Sequence, residues 1–378
     1  MTPFTNIHHI CIAVEDIERA MAFYESVGIG PWHDYPDLTA FTDLDVPSVD
    51  GFHKLIYKWA MIGDLQLQLV EAGPDGTPQR GFLETHGPGV YHVGFVVEDA
   101  DSADREAKEL GLETSARGRR PDGSGFTYFH TRDQAGVTLE IRQSPPGENL
   151  AAFGRSAPDG TPFRKVHHLC VAVSDIERAV AFYENLGIGP WQPLPRMNDL
   201  VRLDGPAPEA FHDLAYMWTT IGDLQLQLVQ PGAGRTPQGD FLEAHGEGVF
   251  HIGFSVDSVD EAGTRRHPAR AARRRERLLV LRHLSIRGRH ASGPPRAGIV
   301  IWSPAPRGGS EARPHATGSP RARLSRTRTP TAPSRIVLRR FSAAHPDRCL
   351  SSPPSTAVPS ARYRLLRRRH SASACARV

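Results

Sequence analysis

The apolar positions follow a short order that recurs. His8 to Val14 (HHICIAV) is an apolar run rich in β-branched residues and reads as a strand. Asp16 follows as an N-cap. Ile17, Ala20, Met21 and Tyr24 then recur at i, i+3, i+4 and i+7, one face of a helix that stops at Gly28. After a Gly30-Pro31 turn, Leu55 to Ile62 and Leu65 to Val70 read as two strands joined at Gly63-Asp64. The order then restarts in weaker form. Val90 to Val97 is a strand, Ala100, Ala103, Ala107 and Leu110 mark a helix face, and Phe126 to Thr131 and Val137 to Ile141 are strands around a Gly136 turn. Residues 5–143 are thus predicted to be two βαβββ modules, an α+β domain.

The whole unit is then repeated. HHICIAVEDIERAMAFYESVGIGPW from His8 matches HHLCVAVSDIERAVAFYENLGIGPW from His167, an offset of 159. The offset persists without a gap through GDLQLQ at Gly63 and Gly222 to His92 and His251. Such identity exceeds what a shared fold requires. A Pro/Gly/Ala-rich stretch lies between the copies. The expected division is a complete domain over 1–144, a linker over 145–163, a second domain over 164–263, and a tail over 264–378. The second copy breaks inside a helix: SVDSVDEAG still matches, but from Thr264 the text becomes RRHPARAARRRERLL. No strand pattern like GFTYFHTRDQAGVTLEIR returns, so the second sheet is expected to lack its last strands and to carry an open edge.

Charge separates the parts. The net charge of +3 over 378 residues is the sum of two unlike pieces. Residues 1–263 hold 18 basic and 39 acidic residues, while 264–378 hold 27 Arg, no Lys and 3 acids. A low-order Arg/Pro/Ser/Ala-rich tail of this kind is expected from a reading-frame shift in GC-rich coding DNA. A genuine basic arm that binds nucleic acid non-specifically, with steep salt dependence lost on truncation at Gly263, is the second reading. A folded third domain is the third. No apolar run approaches the ~18 residues of a membrane span, and the N-terminus lacks a signal-peptide pattern, so a cytoplasmic protein is expected. Cys11 and Cys170 sit in apolar strand runs and read as buried thiols.

Four side chains of the first copy draw attention: His9, Gln68, His92 and Glu140. Alternation puts Gln66 and Gln68 opposite the leucines of LQLQLV, and Thr138, Glu140 and Arg142 opposite Val137, Leu139 and Ile141. Two imidazoles, a carboxylate and an amide oxygen suit an octahedral divalent transition metal with open positions. Each residue also has an ordinary structural reading, and spacing does not choose between His8 and His9. Tyr57 and Trp59 share a strand face and recur as Tyr216 and Trp218; with Tyr128 they are candidates to line a substrate pocket.

This arrangement resembles the vicinal oxygen chelate superfamily, which includes glyoxalases, methylmalonyl-CoA epimerase, extradiol dioxygenases and bleomycin-resistance-type binding proteins. The matching text is HHICIAV with DIERAMAFYESVGIGPW, then LQLQLVEAG, GVYHVGFVVED and GVTLEIR. The resemblance covers 5–143 fully and 164–263 in part. It implies βαβββ modules paired into curved mixed sheets, with one metal ligand per quarter. The epimerase pattern of His, Gln, His, Glu falls on His9, Gln68, His92 and Glu140, with Glu140 also the candidate acid/base. It further implies one divalent metal (Co, Mn, Ni, Zn or Fe) and a small-molecule substrate with vicinal or 1,3-related oxygens. A homodimer is possible within such a family.

The resulting expectation is a metal-dependent epimerase, isomerase or glyoxalase-like lyase that moves a proton α to a carbonyl through a stabilised enolate. An iron-dependent extradiol-type dioxygenase and a metal-free binding protein are the alternatives. The second copy keeps His168, Gln227 and His251, but Ile299 stands 159 residues after Glu140. Only the first site is therefore expected to be complete.

Overall fold

The computed structural model describes residues 2–73, 76–148, 161, 163–194, 208–256, 277–279 and 298–303. The first copy opens with β1 (Ile7–Val14) and α1 (Ile17–Ser26), whose N-cap Asp16 accepts from Arg19 N. Next come β2 (His33–Asp34), a 3₁₀ turn at Leu38–Ala40, β3 (Asp43–Asp45) and α2 (Val49–Phe52). Then β4 (Ile56–Ile62), β5 (Leu65–Glu71) and α3 (Pro78–His86) complete the first module. The second module holds β6 (Gly89–Val97), α4 (Ala100–Glu109), β7 (Thr114–Arg119), β8 (Gly125–Phe129), α5 (Arg132–Ala135) and β9 (Thr138–Gln143). The predicted strands and helices lie within a few residues of these. The alternation pattern missed α3, β7 and the elements between β2 and β4, which are short or polar.

The nine strands form one mixed sheet in the order β2-β4-β5-β1-β6-β9-β8-β7-β3. Central β1 runs parallel to β5 and antiparallel to β6, and β6 runs parallel to β9. Alternation along β1 sends Ile10 and Ile12 to one face and Cys11 and Ala13 to the other.

The second copy repeats this with β10 (Val166–Ala172), α6 (Ile176–Asn185), β11 (Gln192–Pro193), β12 (Ala215–Ile221), β13 (Leu224–Gln230), α7 (Pro237–His245) and β14 (Gly248–Val256). The protein is thus α+β with two mixed sheets. The helix expected over 257–263 lies outside the described residues, as does most of 264–378. One expectation is corrected. The edge of β14 is not open: β16 (Gly298–Ser303) pairs with it, and β15 (Arg277–Leu279) pairs with β16. However, β16 runs antiparallel to β14, whereas β9 runs parallel to β6. The apolar run GIVIWS supplies a strand to the free edge but not the first copy's topology.

The two copies share one core. A single apolar cluster joins Ile10, Ile12, Leu67 and Leu139 to Leu169, Val171, Leu226 and Leu228. Burying each such side chain stabilises by roughly 1.5–3 kcal/mol over exposure. Polar contacts between the copies are reciprocal. His86 Nδ1 donates to the carbonyl of His245 at 2.7 Å, and His245 Nδ1 donates to that of His86 at 2.6 Å. Thr161 Oγ1 donates to Val27 O and Thr2 Oγ1 to Leu186 O, again positions 159 apart. Tyr183 adds a buried hydroxyl bond to Ala135 O at 2.9 Å.

Candidate metal centre

The face of the first sheet away from the shared core carries the candidate site. Register puts Gln66, His9, Gly94 and Glu140 in one row across β5, β1, β6 and β9. Gln68, Cys11, His92 and Thr138 form the next. A register shift between Cys11 and Ile12 interrupts the ladder just beyond, and pairing resumes at Ile12 and Val90. All four candidate ligands therefore sit on four adjacent strands, although 131 positions separate His9 from Glu140 in the chain.

Three of them meet. His9 Nε2, His92 Nε2 and Glu140 Oε2 lie 2.9 Å apart on every side. Donors 2.9 Å apart, each bonded at ~2.1 Å, subtend about 87° at a cation, near the 90° of an octahedral face. A tetrahedral centre would need edges of about 3.4 Å. The residues present therefore fit a six-coordinate divalent ion better than a four-coordinate one. Gln68 shares the face, and its Nε2 donates to Gln66 Oε1 at 2.6 Å. That bond leaves the Gln68 carbonyl oxygen as its metal-type donor.

The protonation states agree. Burial alone would push the Glu140 carboxyl up, but the His9 and His92 rings facing it outweigh this and hold it well below the usual carboxylate range. Burial pulls His9 down against the opposing pull of Glu140. A neutral His9 imidazole and an ionised Glu140 are the forms that bind cations.

The structure distinguishes the histidine doublet. His9 faces the triangle. The His8 ring, pushed down to about 2 by burial and by the charge of Arg142, accepts from Arg142 Nη1 at 2.8 Å. Its Nδ1 lies 3.0 Å from His9 Nδ1. Arg142 is anchored by Glu148 through both terminal nitrogens, at 2.8 and 2.6 Å.

Sequence reasoning missed Gly94. A Cβ there would lie 2.0 Å from His9 Cε1, so the glycine makes the space for the imidazole. The signal was present: HVGF and HIGF keep a strand-interior glycine in both copies. Of the pocket candidates, Tyr128 lies with its ring 4.9 Å from that of His92. Tyr57 bonds Tyr128 and accepts from Gln79 Nε2 at 3.0 Å. Trp59 is Gln68's cross-strand partner, but its indole N–H donates to Asp34 O and its ring lies against His33.

In the second copy, His168 Nε2 and His251 Nε2 lie 2.8 Å apart, and Gln227 Nε2 donates to Gln225 Oε1 at 2.5 Å. The residue opposite Gly253, where the first copy has Glu140 opposite Gly94, is Ile301 rather than Ile299. The reversed direction of β16 changes the correspondence, and neither position is acidic.

An α+β protein of tandem modules with a buried two-histidine, one-carboxylate triangle is the class that fold and site define. Residues 8–129 and 167–270 match the family model of the Glyoxalase/Bleomycin resistance protein/Dioxygenase superfamily, and the chain belongs to that superfamily. It is 25% identical over 141 residues to the ethylmalonyl-CoA/methylmalonyl-CoA epimerase of Cereibacter sphaeroides, covering 36% of this chain and 96% of that protein. It is 28% identical over 141 residues to the mitochondrial methylmalonyl-CoA epimerase of Homo sapiens, covering 36% of this chain and 73% of that one. The structure of the epimerase from Mycobacterium tuberculosis is also similar, at 22% identity and a TM-score of 0.31, covering 40% of this chain and 95% of that one.

Proposed function

We propose that residues 1–144 form a divalent-metal-dependent enzyme that moves a proton on the carbon next to a carbonyl, as an epimerase or glyoxalase-like lyase. The observation that carries this reading is the equal-sided His9–His92–Glu140 triangle, with Gln68 on the same face. Four such donors leave two octahedral positions for two substrate oxygens. A divalent cation there (Co, Mn, Ni, Zn or Fe) supplies a Lewis acid for the charge that develops on the carbonyl oxygen. Among the described residues the buried acids are Asp104 and Glu140, and Asp104 is spent on Lys108 and Thr114. Glu140 is thus the candidate to take and return the proton as well as to ligate. Tyr57 and Tyr128 orient substrate from the neighbouring strands, with Trp59 beside Gln68. The burial of all these side chains excludes water from the reacting atoms.

The small-molecule substrate would carry vicinal or 1,3-related oxygens. The epimerase relatives favour proton transfer, and Gln68 is the residue that distinguishes this pattern. An extradiol-type dioxygenase is the second reading, because the triangle alone is a two-histidine, one-carboxylate set suited to ferrous iron.

The test is metal analysis of the purified full chain, followed by exchange of α-protons for deuterium in a panel of acyl-CoA and dicarbonyl compounds. One equivalent of metal and chelator-sensitive exchange are expected. Ferrous-iron-dependent oxygen uptake with a catechol would favour the second reading. No stoichiometric metal, with ligand binding indifferent to chelator, would leave a binding protein of the bleomycin-resistance kind.

A further inference from the structure

Tyr91 is an extra residue on β6. The pairing with β1 passes from His92 opposite Cys11 to Val90 opposite Ile12, so Tyr91 has no partner on that strand. A bulge of this kind beside a site re-aims the neighbouring side chain, here His92. On the other side, β9 pairs with β6 only from His92 onward. In a regular strand successive carbonyls alternate in direction. Here two in a row, Val90 O and Tyr91 O, accept from the same atom, Arg132 Nη2, at 3.2 and 3.1 Å.

The other arm of that guanidinium reaches two further places. Arg132 Nη1 donates to Gly136 O at 3.4 Å, where α5 turns into β9, and to Glu247 O of the second copy at 3.3 Å. The Phe82 ring lies 4.4 Å from its central carbon. Among the described residues no carboxylate bonds it. Carbonyls and a ring thus stand in for a counter-ion, and they come from the bulge before His92, the turn before Glu140, and the second copy.

The path from Arg132 to the carboxylate ligand is short. Thr131 Oγ1 donates to Val137 O at 2.9 Å and accepts from Leu139 N at 2.8 Å, which fastens the start of α5 to β9 one residue before Glu140. The second copy holds the rest of α5. Arg178 Nη1 donates to Asp133 O, and Tyr183 donates to Ala135 O at 2.9 Å. Arg178 is itself held by both oxygens of Glu247, at 2.7 and 2.6 Å.

The arrangement runs one way. The second copy repeats the bulge at Phe250, between His251 opposite Cys170 and Val249 opposite Val171. Yet Ala291 stands 159 positions after Arg132, and Pro88 stands 159 positions before Glu247. The arginine belongs to the first copy and the glutamate to the second.

We propose that Arg132 is a positioning residue for the candidate metal centre. It ties the bulge that aims His92 and the turn that delivers Glu140 to each other and to the second copy. The second copy thereby completes a site to which it gives no ligand. The proposal rests on the metal reading above, and Arg132 acts through the backbone of its neighbours.

The test uses the full chain and cobalt(II), whose visible absorption reports both affinity and coordination geometry. Arg132→Met keeps an apolar stem against Phe82 and removes every donor. It is expected to weaken cobalt binding about 10-fold and to alter the band shape of the bound ion. Arg132→Lys keeps the charge without the fork that spans these carbonyls, and should recover part of the affinity and the wild-type bands. Asp16→Ala removes the N-cap of α1 and serves as the control for lost stability; it should bind cobalt as the wild type does. Wild-type affinity and bands in Arg132→Met would overturn the proposal and leave the metal reading intact, as would an equal loss in Asp16→Ala. Wild-type protein that takes up no cobalt would overturn both. If Arg132→Met does not fold, Arg178→Met carries the test, because it removes one of the second copy's bonds to α5 and leaves Arg132 in place. A loss of about 3-fold is expected there, and unchanged affinity would overturn the proposal.

Discussion

Gly94→Ala isolates the geometry of the site with a single methyl group. The new Cβ would lie 2.0 Å from His9 Cε1, 2.5 Å from Nδ1 and 2.6 Å from Nε2. Ordinary contact begins near 3.4 Å, so the ring must retreat by about 1.4 Å or leave its rotamer. A metal–nitrogen bond of ~2.1 Å does not survive such a shift. Loss of outer contacts to a ligand typically costs 10–100-fold in metal affinity; losing the ligand itself should cost at least about 100-fold. The steric cost to folding should be about 1–3 kcal/mol. The internal repeat supplies the control. Gly253→Ala places its Cβ 2.1 Å from His168 Cε1, with a similar steric penalty but at the copy whose histidine pair has no carboxylate beside it among the described residues. Equilibrium dialysis against cobalt or zinc, with urea titration alongside, separates the two effects. Gly94→Ala should lose the bound metal and Gly253→Ala should keep it, at similar stability. A Gly94→Ala protein that holds one equivalent at wild-type affinity would refute the reasoning, as would equal loss in both variants.

Other outcomes follow from the same structure. His9→Ala should abolish bound metal altogether; a full equivalent retained by His168 and His251 would show the second site to be competent. Glu140→Gln keeps the shape of the carboxylate without its charge and should lower metal affinity by at least about 100-fold with an unchanged circular dichroism spectrum. His251 is held at about 3 by burial, against 6.5 in the unfolded chain. The unfolded state therefore takes up a proton between these values that the folded state refuses, and stability falls as pH drops through this window. Between pH 7 and 5 this amounts to about 2 kcal/mol. His251→Leu should remove that share of the acid sensitivity in urea titrations at the two pH values. Tyr183→Phe leaves the Ala135 carbonyl without its buried donor and should cost about 1–2 kcal/mol, measured by denaturant unfolding.

The period-3.6 pattern located α1 and α4, which each bury one face, and apolar runs located β1, β4, β5 and β6, of which β1, β5 and β6 are buried along nearly their whole length. They passed over α3, whose PQRGFLETH carries Gly81 at mid-helix, although Thr77 caps it and Pro78 starts it. They also passed over β7, since TSARGR offers no alternation. Gln68 and Glu140 were legible as polar residues on apolar strands. Their meeting with His9 and His92 was not, because proximity comes from strand order and register. The choice between His8 and His9 needed the ring contacts: only His9 reaches His92 and Glu140, while His8 turns to Arg142. The aromatic segment between β2 and β4 was invisible as a pattern, being short elements held by tertiary contacts. The strand at Gly298–Ser303 was hidden because nothing in its sequence resembles β9.

The paired histidine clasp, His86 to His245 and back, has a thermodynamic consequence. In two separate chains such a reciprocal contact would be governed by mass action and would dissolve on dilution. Here the two halves are tethered through residues 145–163, so their effective concentration is set by the tether and not by the amount of protein. With one core running through both copies, neither half can shed the other without exposing its own interior. The second copy thereby acts as a permanently bound partner to the first, and the midpoint of unfolding should be independent of protein concentration.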